Sequence, residues 1–358
     1  MGLKRIILTG GGTAGHVTPN LALVPGLREK GYEILYIGTV NGMEKGLAER
    51  AGLQYKGIDS GKLRRYFDLK NFTDPFRVIR GYFQAKKIIA DFKPDIVFSK
   101  GGFAAVPVTF AAKSRKVAVI SHESDMTPGL ANRLAAPSAT KICCNFPETL
   151  SLLPKGKAVL TGSPIREELL TGSREAGLSY AGFSGEKPVL LIIGGSLGSV
   201  RVNNAVRSVI DRLTEQFDVI HICGKNNKDE SLSGRKDYVQ YEYVNEPLKD
   251  LFAAADIIIS RAGANAICEI LALHKPNLLI PLSAAASRGD QILNAASFEK
   301  QGFSKVLQEE KLSDETLLEA VKELYDNRET FISCMEKSTL SDAVSKIIAL
   351  IEETVQSR

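Results

Sequence analysis

The sequence has no tryptophan, only four histidines, and five cysteines with no Cys-x-x-Cys pair among them. That usage fits a reducing compartment, and Cys143, Cys144, Cys223, Cys268 and Cys334 read as packing residues, not disulfides, metal ligands or redox groups. His16, His122, His221 and His274 are too scattered to propose a metal site. No apolar run approaches the ~18–20 residues that span a bilayer. The first eight residues run into a Gly-rich stretch before they could form a signal-peptide core, so a cytosolic, untranslocated chain is expected. Low-complexity tracts and short-period repeats are missing as well. A hydrophobic content of 44% with 24% charged residues excludes disordered, collagen-like and coiled-coil classes. What remains is a globular chain of 358 residues, long enough for two domains with a core each.

Charge is nearly balanced: 46 basic against 41 acidic side chains give +5, which by itself names no partner. Its placement is more telling. Residues 61–87 hold eight basic and two acidic side chains, a local +6, interleaved with Tyr66, Phe67, Phe72, Phe76, Tyr82 and Phe83. Such a segment suits an anionic membrane surface, stacking on single-stranded nucleic acid, or a core-facing helix with a solvated basic side.

Short apolar, β-rich runs alternate with helical-period segments. Arg5–Thr9, Glu33–Ile37, Asp95–Phe98 and Val117–Ile120 read as buried strands, with helix candidates at 19–30, 41–51 and 76–91. The pattern restarts near residue 188 with Val189–Ile193, Val219–Ile222, Ile257–Ile259 and Leu278–Ile280. Continuous apolar strands alternating with helices predict an α/β chain of two Rossmann-like, doubly wound parallel-sheet domains. The join falls near Gly162-Ser163-Pro164, and a last helix near 340–354 could pack on either domain.

Each half opens with a strand running into a glycine-rich turn, residues 10–15 in the first and 194–199 in the second. The first satisfies G-x-G-x-x-G, but strand two ends Tyr36-Ile37-Gly38-Thr39 without the acid a dinucleotide ribose needs. In the second half the strand Val219–Ile222 ends Cys223-Gly224-Lys225 and fails in the same way, which argues against a dehydrogenase. The loops can still aim backbone N–H groups at an anion, or serve simply as tight turns. His16 closes the first loop and is a candidate general base or a helix-start contact. His122-Glu123-Ser124-Asp125 follows a strand end, where its polar groups could face a ligand or cap the next helix. In the second half Arg261 could meet a diphosphate and Glu269 a ribose diol, while Asp290, Gln291 and Asn294 suit sugar hydroxyls; each could equally be a capping or surface polar residue.

Taken in order, Gly11-Gly12-Thr13-Ala14-Gly15-His16, Lys100-Gly101-Gly102-Phe103, His122-Glu123, Gly162-Ser163-Pro164-Ile165-Arg166, Gly194-Gly195-Ser196, Ser260-Arg261-Ala262-Gly263 and Asp290-Gln291-x-x-Asn294-Ala295 resemble the MurG-type N-acetylglucosaminyltransferases of peptidoglycan synthesis over essentially the full length. The resemblance implies a GT-B fold, two Rossmann-like domains facing a cleft. It assigns 1–163 plus 340–358 to an acceptor- and membrane-binding domain, and 164–339 to a UDP-GlcNAc-binding domain. The implied reaction is inverting transfer of GlcNAc from UDP-GlcNAc to undecaprenyl-diphospho-MurNAc-pentapeptide. Another GT-B UDP-sugar enzyme, such as a glycolipid glycosyltransferase or an epimerase, or a non-catalytic UDP-sugar-binding regulator, is the alternative.

Carried onto this chain, the resemblance makes His16 the base, with Glu123 second. It places Thr13, Ala14, Gly15, Asp125, Arg166, Ser196, Val244, Arg261, Ala264, Glu269, Gln291 and Asn294 on the donor. Asp125 stands where many members have Asn, and Phe103 where many have Tyr, so Phe103 has no polar role. With no Asp-x-Asp sequence, neither a metal nor another cofactor is expected. A membrane-bound acceptor turns the basic segment toward the inner face of an anionic membrane through Arg64, Arg65, Phe67, Phe72, Phe76, Arg80 and Phe83, with no nucleic acid involved. The protein would then be peripheral on the cytoplasmic side, alongside proteins of cell-wall synthesis or division.

Overall fold

Every described strand pairing is parallel, and the pairings form two sheets. The computed structural model describes residues 3–61, 70–194, 198–285 and 289–357, with the backbone alone for 70–75. Ser196, Arg64, Arg65 and Phe67 lie outside the described residues, as does the side chain of Phe72. The chain divides into two units, Met1–Arg166 with Asp342–Arg358, and Glu167–Ser341.

The first sheet comprises β1 (Lys4–Thr9), β2 (Tyr32–Thr39), β3 (Gln54–Ile58), β4 (Ile96–Ser99), β5 (Ala118–Glu123), β6 (Lys141–Cys144) and β7 (Ala158–Leu160). Its order is β3-β2-β1-β4-β5-β6-β7. Alternate side chains of one strand enter different cores, as the two-residue period requires. Ile6 and Leu8, Ile34 and Tyr36, Ile96 and Phe98 join one core; Ile7, Leu35, Ile37 and Val97 join the other. Both faces are therefore covered, which is why these strands read as unbroken apolar runs.

The second sheet comprises β8 (Val189–Ile193), β9 (Asp218–Ile222), β10 (Tyr238–Tyr241), β11 (Ile257–Ser260), β12 (Asn277–Leu279) and β13 (Lys305–Val306), ordered β10-β9-β8-β11-β12-β13. Leu190, Ile192, Val219, Ile257 and Ile259 pack against Val202, Val206, Leu213, Leu317 and Val321 from flanking helices. In each sheet the order reverses beside the first strand, between β1 and β4 and between β8 and β11. Ligands of open α/β sheets bind at such points, outside the carboxyl ends of the strands.

The helix expected over 19–30 is two helices, Thr18–Ala22 and Val24–Glu29. Pro25, which lacks an N–H, sits in the first turn of the second. The helix expected from 76 begins at Lys70 and runs to Phe92. The last helix, Ala343–Gln356, packs in the first unit: Ile347, Ile348, Leu350 and Ile351 join the core of Leu27, Tyr32 and Ile34. Lys4 Nζ meets Glu352 at 2.6 Å, and Tyr32 donates to the same carboxylate.

Candidate active site

In the first unit, the turn after β1 carries Gly10 to His16, and β4 leads into Lys100-Gly101-Gly102. Thr13 precedes a single 3-10 turn, Ala14–His16. Thr13 and Ala14 are exposed, and Gly15 is half-buried. Gly12 has φ +91°, and a Cβ there would lie 2.4 Å from the Phe103 ring. Phe103 thus works as an apolar floor beneath the loop, in keeping with the absence of a hydroxyl. A Cβ on Gly102 would sit 3.0 Å from His16 Cδ2, so the two switch-point loops touch at the histidine.

His16 Nδ1 is buried and meets no hydrogen-bond partner among the described residues. Burial first, and the nearby Lys100 charge second, push the imidazole pKa down to about 4. The ring is therefore neutral at neutral pH and can accept a proton. Lys100 is itself buried, donating to Ser124 Oγ at 2.6 Å and meeting His122 Nδ1 at 2.7 Å. His122 Nε2 lies 2.9 Å from the Gly162 carbonyl, so the ring accepts on Nδ1 and donates through Nε2. Its pKa is driven well below the usual histidine value by burial and by Lys100. His122 is a core strut between strand ends.

Glu123, the second candidate base, also orders the turn after β5. Oε1 accepts from the backbone N–H groups of Ser124 (2.8 Å) and Asp125 (3.1 Å), and Oε2 from Gly129 N (2.9 Å) and Asn132 Nδ2 (2.8 Å). Four donors on one buried carboxylate make it the organiser of the 124–129 turn. Asp125 is half-buried in that turn, and Arg166 half-buried at the end of the unit's main segment.

The carboxylate missing from the end of β2 is supplied from farther along the chain. Glu44, in the first turn of the helix Met43–Arg50, turns back so that Oε1 accepts from Thr39 N (2.8 Å) and Thr39 Oγ1 (2.6 Å). It is fully buried, unlike an acid that receives a ribose, so the argument against a dinucleotide stands on burial instead of absence. Its place between strand and helix start carried no local signal.

In the second unit, a cavity of ≈ 720 Å³ opens at the switch point, at the ends of β8 (Ile193) and β11 (Ser260). The helices Val200–Ser208 and Ala264–Ala272 begin at its wall, with Ser199 and Gly263 as N-caps. Gln291, in the first turn of the helix Asp290–Lys300, also lines it. Helix starts present unpaired N–H groups and positive dipole ends, the setting for a phosphate or diphosphate. Gly198, at φ +70°, presses against the end of β9: a Cβ would lie 1.9 Å from the Cys223 carbonyl oxygen.

Of the donor residues expected from the sequence, Arg261, Glu269 and Gln291 line this cavity. Gln291 Oε1 accepts from Leu282 N at 3.0 Å, which fixes the amide and leaves its NH2 to donate. Ala264 and Val244 are buried and do not appear in the lining. Asn294 departs from expectation: it is fully buried, and its amide donates to the Ala262 carbonyl, tying its helix to the loop after β11. Arg261 is itself held by protein acceptors. Its Nη2 donates to Ser199 Oγ (2.6 Å) and pairs with Glu309, while Nη1 donates to the Ile280 carbonyl (3.0 Å). Glu309, missed in the sequence, lies in a short turn of two adjacent glutamates where nothing local marks it.

On the helix Lys70–Phe92, Gly81, Ala85 and Ile89 face inward. Phe76 (75% exposed), Ile79 and Phe83 (62%) are exposed, and Ile79 and Phe83 share a groove with Phe110. Arg80 is exposed but pairs with Asp59 at 3.0 Å, so its charge is partly met. Among the described residues no helix is long and apolar enough to cross a membrane, and no group of His, Cys, Asp and Glu could hold a metal ion.

Comparison with known proteins adds to this geometry. Residues 6–144 match the glycosyltransferase family 28 N-terminal domain, and residues 189–351 its C-terminal domain. A curated relative from Lachnoclostridium phytofermentans is 63% identical over 351 residues, 98% of this chain and 99% of its own. One from Lachnospira eligens is 62% identical over the same shares. Both are named UDP-N-acetylglucosamine–N-acetylmuramyl-(pentapeptide) pyrophosphoryl-undecaprenol N-acetylglucosamine transferase. Among solved structures, MurG of Acinetobacter baumannii superposes with a TM-score of 0.77 at 24% identity, over 98% of this chain and 99% of that one. A UDP-GlcNAc 2-epimerase from Neisseria meningitidis, bound to UDP-GlcNAc, gives 0.71 at 14% over 99% and 100%. These two likenesses speak to the fold.

Proposed function

Because the chain belongs to glycosyltransferase family 28, we propose that it transfers GlcNAc from UDP-GlcNAc to undecaprenyl-diphospho-MurNAc-pentapeptide. The observation that carries this reading is the switch-point cavity of the second unit, where two helix starts, Arg261, Glu269 and Gln291 come together. The diphosphate lies against the helix N-termini and Arg261, the ribose diol on Glu269, and the GlcNAc within reach of the Gln291 amide. Val244 and Ala264 contribute main chain, to uracil and diphosphate respectively, since their side chains are buried. The family resemblance further assigns Arg166 and Ser196 to the diphosphate or its surroundings, Thr13, Ala14 and Gly15 to the sugar and the transferring centre, and Asp125 to the donor.

Transfer proceeds by one in-line displacement. An acceptor oxygen forms a bond to the anomeric carbon as the bond to UDP breaks, and UDP leaves with the electron pair. His16, neutral at neutral pH, takes the hydroxyl proton. The leaving charge is received by preorganised helix N–H groups and Arg261, with no metal step. The exposed row Phe76, Ile79 and Phe83, flanked by Lys and Arg, rests on an anionic membrane surface, where each cation contributes roughly 1 kcal/mol. The protein is then peripheral, on the cytoplasmic face where UDP-GlcNAc is available, and open to cell-wall synthesis or division proteins as partners.

The test is transfer of radiolabel from UDP-GlcNAc to a short-chain analogue of the lipid-linked acceptor. Labelled disaccharide product is expected. UDP-GlcNAc binding without labelled product at any enzyme level would remove the transferase reading in favour of a regulator, and epimerised nucleotide sugar would point to the epimerase branch.

A further inference from the structure

Glu309 gathers three segments of the cavity wall. One oxygen pairs with Arg261 Nη2, and the other accepts from Ser283 N at 3.1 Å, in the stretch that follows β12. Through Arg261 it is linked to Ser199 Oγ, the N-cap of the helix Val200–Ser208, and to the Ile280 carbonyl. Its own carbonyl accepts from Arg201 Nη2 at 2.8 Å, on that same helix. The side chain is buried, yet it lines the cavity together with Arg261, Ser199 and Ser283.

We propose that Glu309 is a positioning residue for diphosphate recognition: it holds the Arg261 guanidinium at the helix start so that its remaining N–H groups face the phosphates. Of the five N–H donors of Arg261, three have protein acceptors, leaving Nε–H and one Nη1–H for a ligand among the described residues. A long side chain fixed at three points loses little freedom when phosphate arrives, whereas an unbraced arginine must be ordered at that moment. Desolvation alone would lift the Glu309 pKa, but hydrogen bonds from Arg261 and Ser283 hold it below the usual glutamate value. The brace is therefore charged throughout the neutral range.

This inference rests on the reading of the cavity as a UDP site, and the experiment separates the two. UDP and uridine are titrated calorimetrically into wild type, Glu309→Ala, Arg261→Ala and the double variant, with thermal melts alongside. The expected result for Glu309→Ala is a loss of about tenfold or more for UDP and little change for uridine, which lacks the phosphates Arg261 serves. In the Arg261→Ala background, Glu309→Ala adds nothing to the UDP loss. Unchanged or tighter UDP binding overturns the proposal, as does an equal loss for uridine, which marks general collapse of the pocket. A further full loss in the double variant also overturns it. Wild type that binds no UDP would instead remove the nucleotide reading itself. If Glu309→Ala does not fold, Glu309→Gln carries the same comparison, because its amide cannot both neutralise Arg261 and accept from Ser283.

Discussion

The carboxylate of Glu44 lies directly behind Gly11, so close that a Cβ on the glycine would come within 2.7 Å of its carboxyl carbon. Gly11→Ala must therefore displace a fully buried acid already engaged by Thr39. A loss of about 1–3 kcal/mol is expected from such overpacking. Chemical denaturation of the variant measures it, and a wild-type midpoint would show that the loop yields without cost.

His16→Ala should lower turnover by roughly 10²–10⁴-fold with little change in donor affinity, the range of a lost general base. Single-turnover rates beside UDP-GlcNAc titrations separate the two, and unchanged turnover would strip His16 of the role. In wild type the acid limb of turnover should fall near pH 4, not near 6.5, because the folded ring resists protonation until then.

The same shift has a consequence for stability. A histidine whose folded pKa is depressed contributes stability above its unfolded pKa of about 6.5, and that contribution is lost as pH falls toward the folded value. For His16 the window runs from about 6.5 down to about 4, and the full loss is about 3 kcal/mol. His221, held between Tyr238 and Asn203, is pushed to about 3 by burial and the Arg207 charge and acts in the same direction. Melting temperature should stay level from pH 8 to 7 and drop below 6.5. His16→Ala should lose less than wild type over that window; an equal drop would place the acid sensitivity elsewhere.

Glu123→Gln replaces an acceptor of two N–H groups by a donor, and about 3 kcal/mol of stability should go with those bonds. Its turnover should fall while the shape of the pH–rate profile is kept. Disappearance of the acid limb in this variant would restore Glu123 as the base.

Ile79→Asp and Phe83→Asp place carboxylates on the outward row of the helix Lys70–Phe92 without touching its buried face of Gly81, Ala85 and Ile89. Sedimentation with anionic vesicles should show binding reduced about tenfold or more, since apolar insertion and surface attraction are both lost. Turnover on a soluble acceptor analogue should be retained. Vesicle binding at the wild-type level would move the membrane contact away from this face.

The fold was legible at most strands buried on both sides, with the short β6, whose Cys143 and Ile142 enter different cores, the exception. The expected runs at β1, β2, β4, β5, β8, β9, β11 and β12 are all strands, because continuous apolar sequence has few other places to go. β3, with Gln54, Lys56 and Gly57 exposed at a sheet edge, and the two-residue β13 carry too little apolar pattern to be seen. At the site, glycine turns and Arg261, Glu269 and Gln291 were readable from their positions after strands. Polar residues at such positions look alike whether they face a ligand or satisfy the backbone. Glu123 and Asn294 each bond to the surrounding backbone in this structure, which burial and partners show and sequence alone does not. Glu44 and Glu309 were illegible because each acts on residues that the chain brings near only after folding.

The packing of Ala343–Gln356 onto the first sheet sets an order of events during synthesis. Leu27, Tyr32 and Ile34 leave the ribosome early, but the surface that shields them is made some 300 residues later, after the whole second unit. While translation runs, at about 5–20 residues per second, the first unit waits for tens of seconds with an apolar groove uncovered. Vectorial folding should thus complete the second unit before the first, leaving the earlier half as the client of any chaperone.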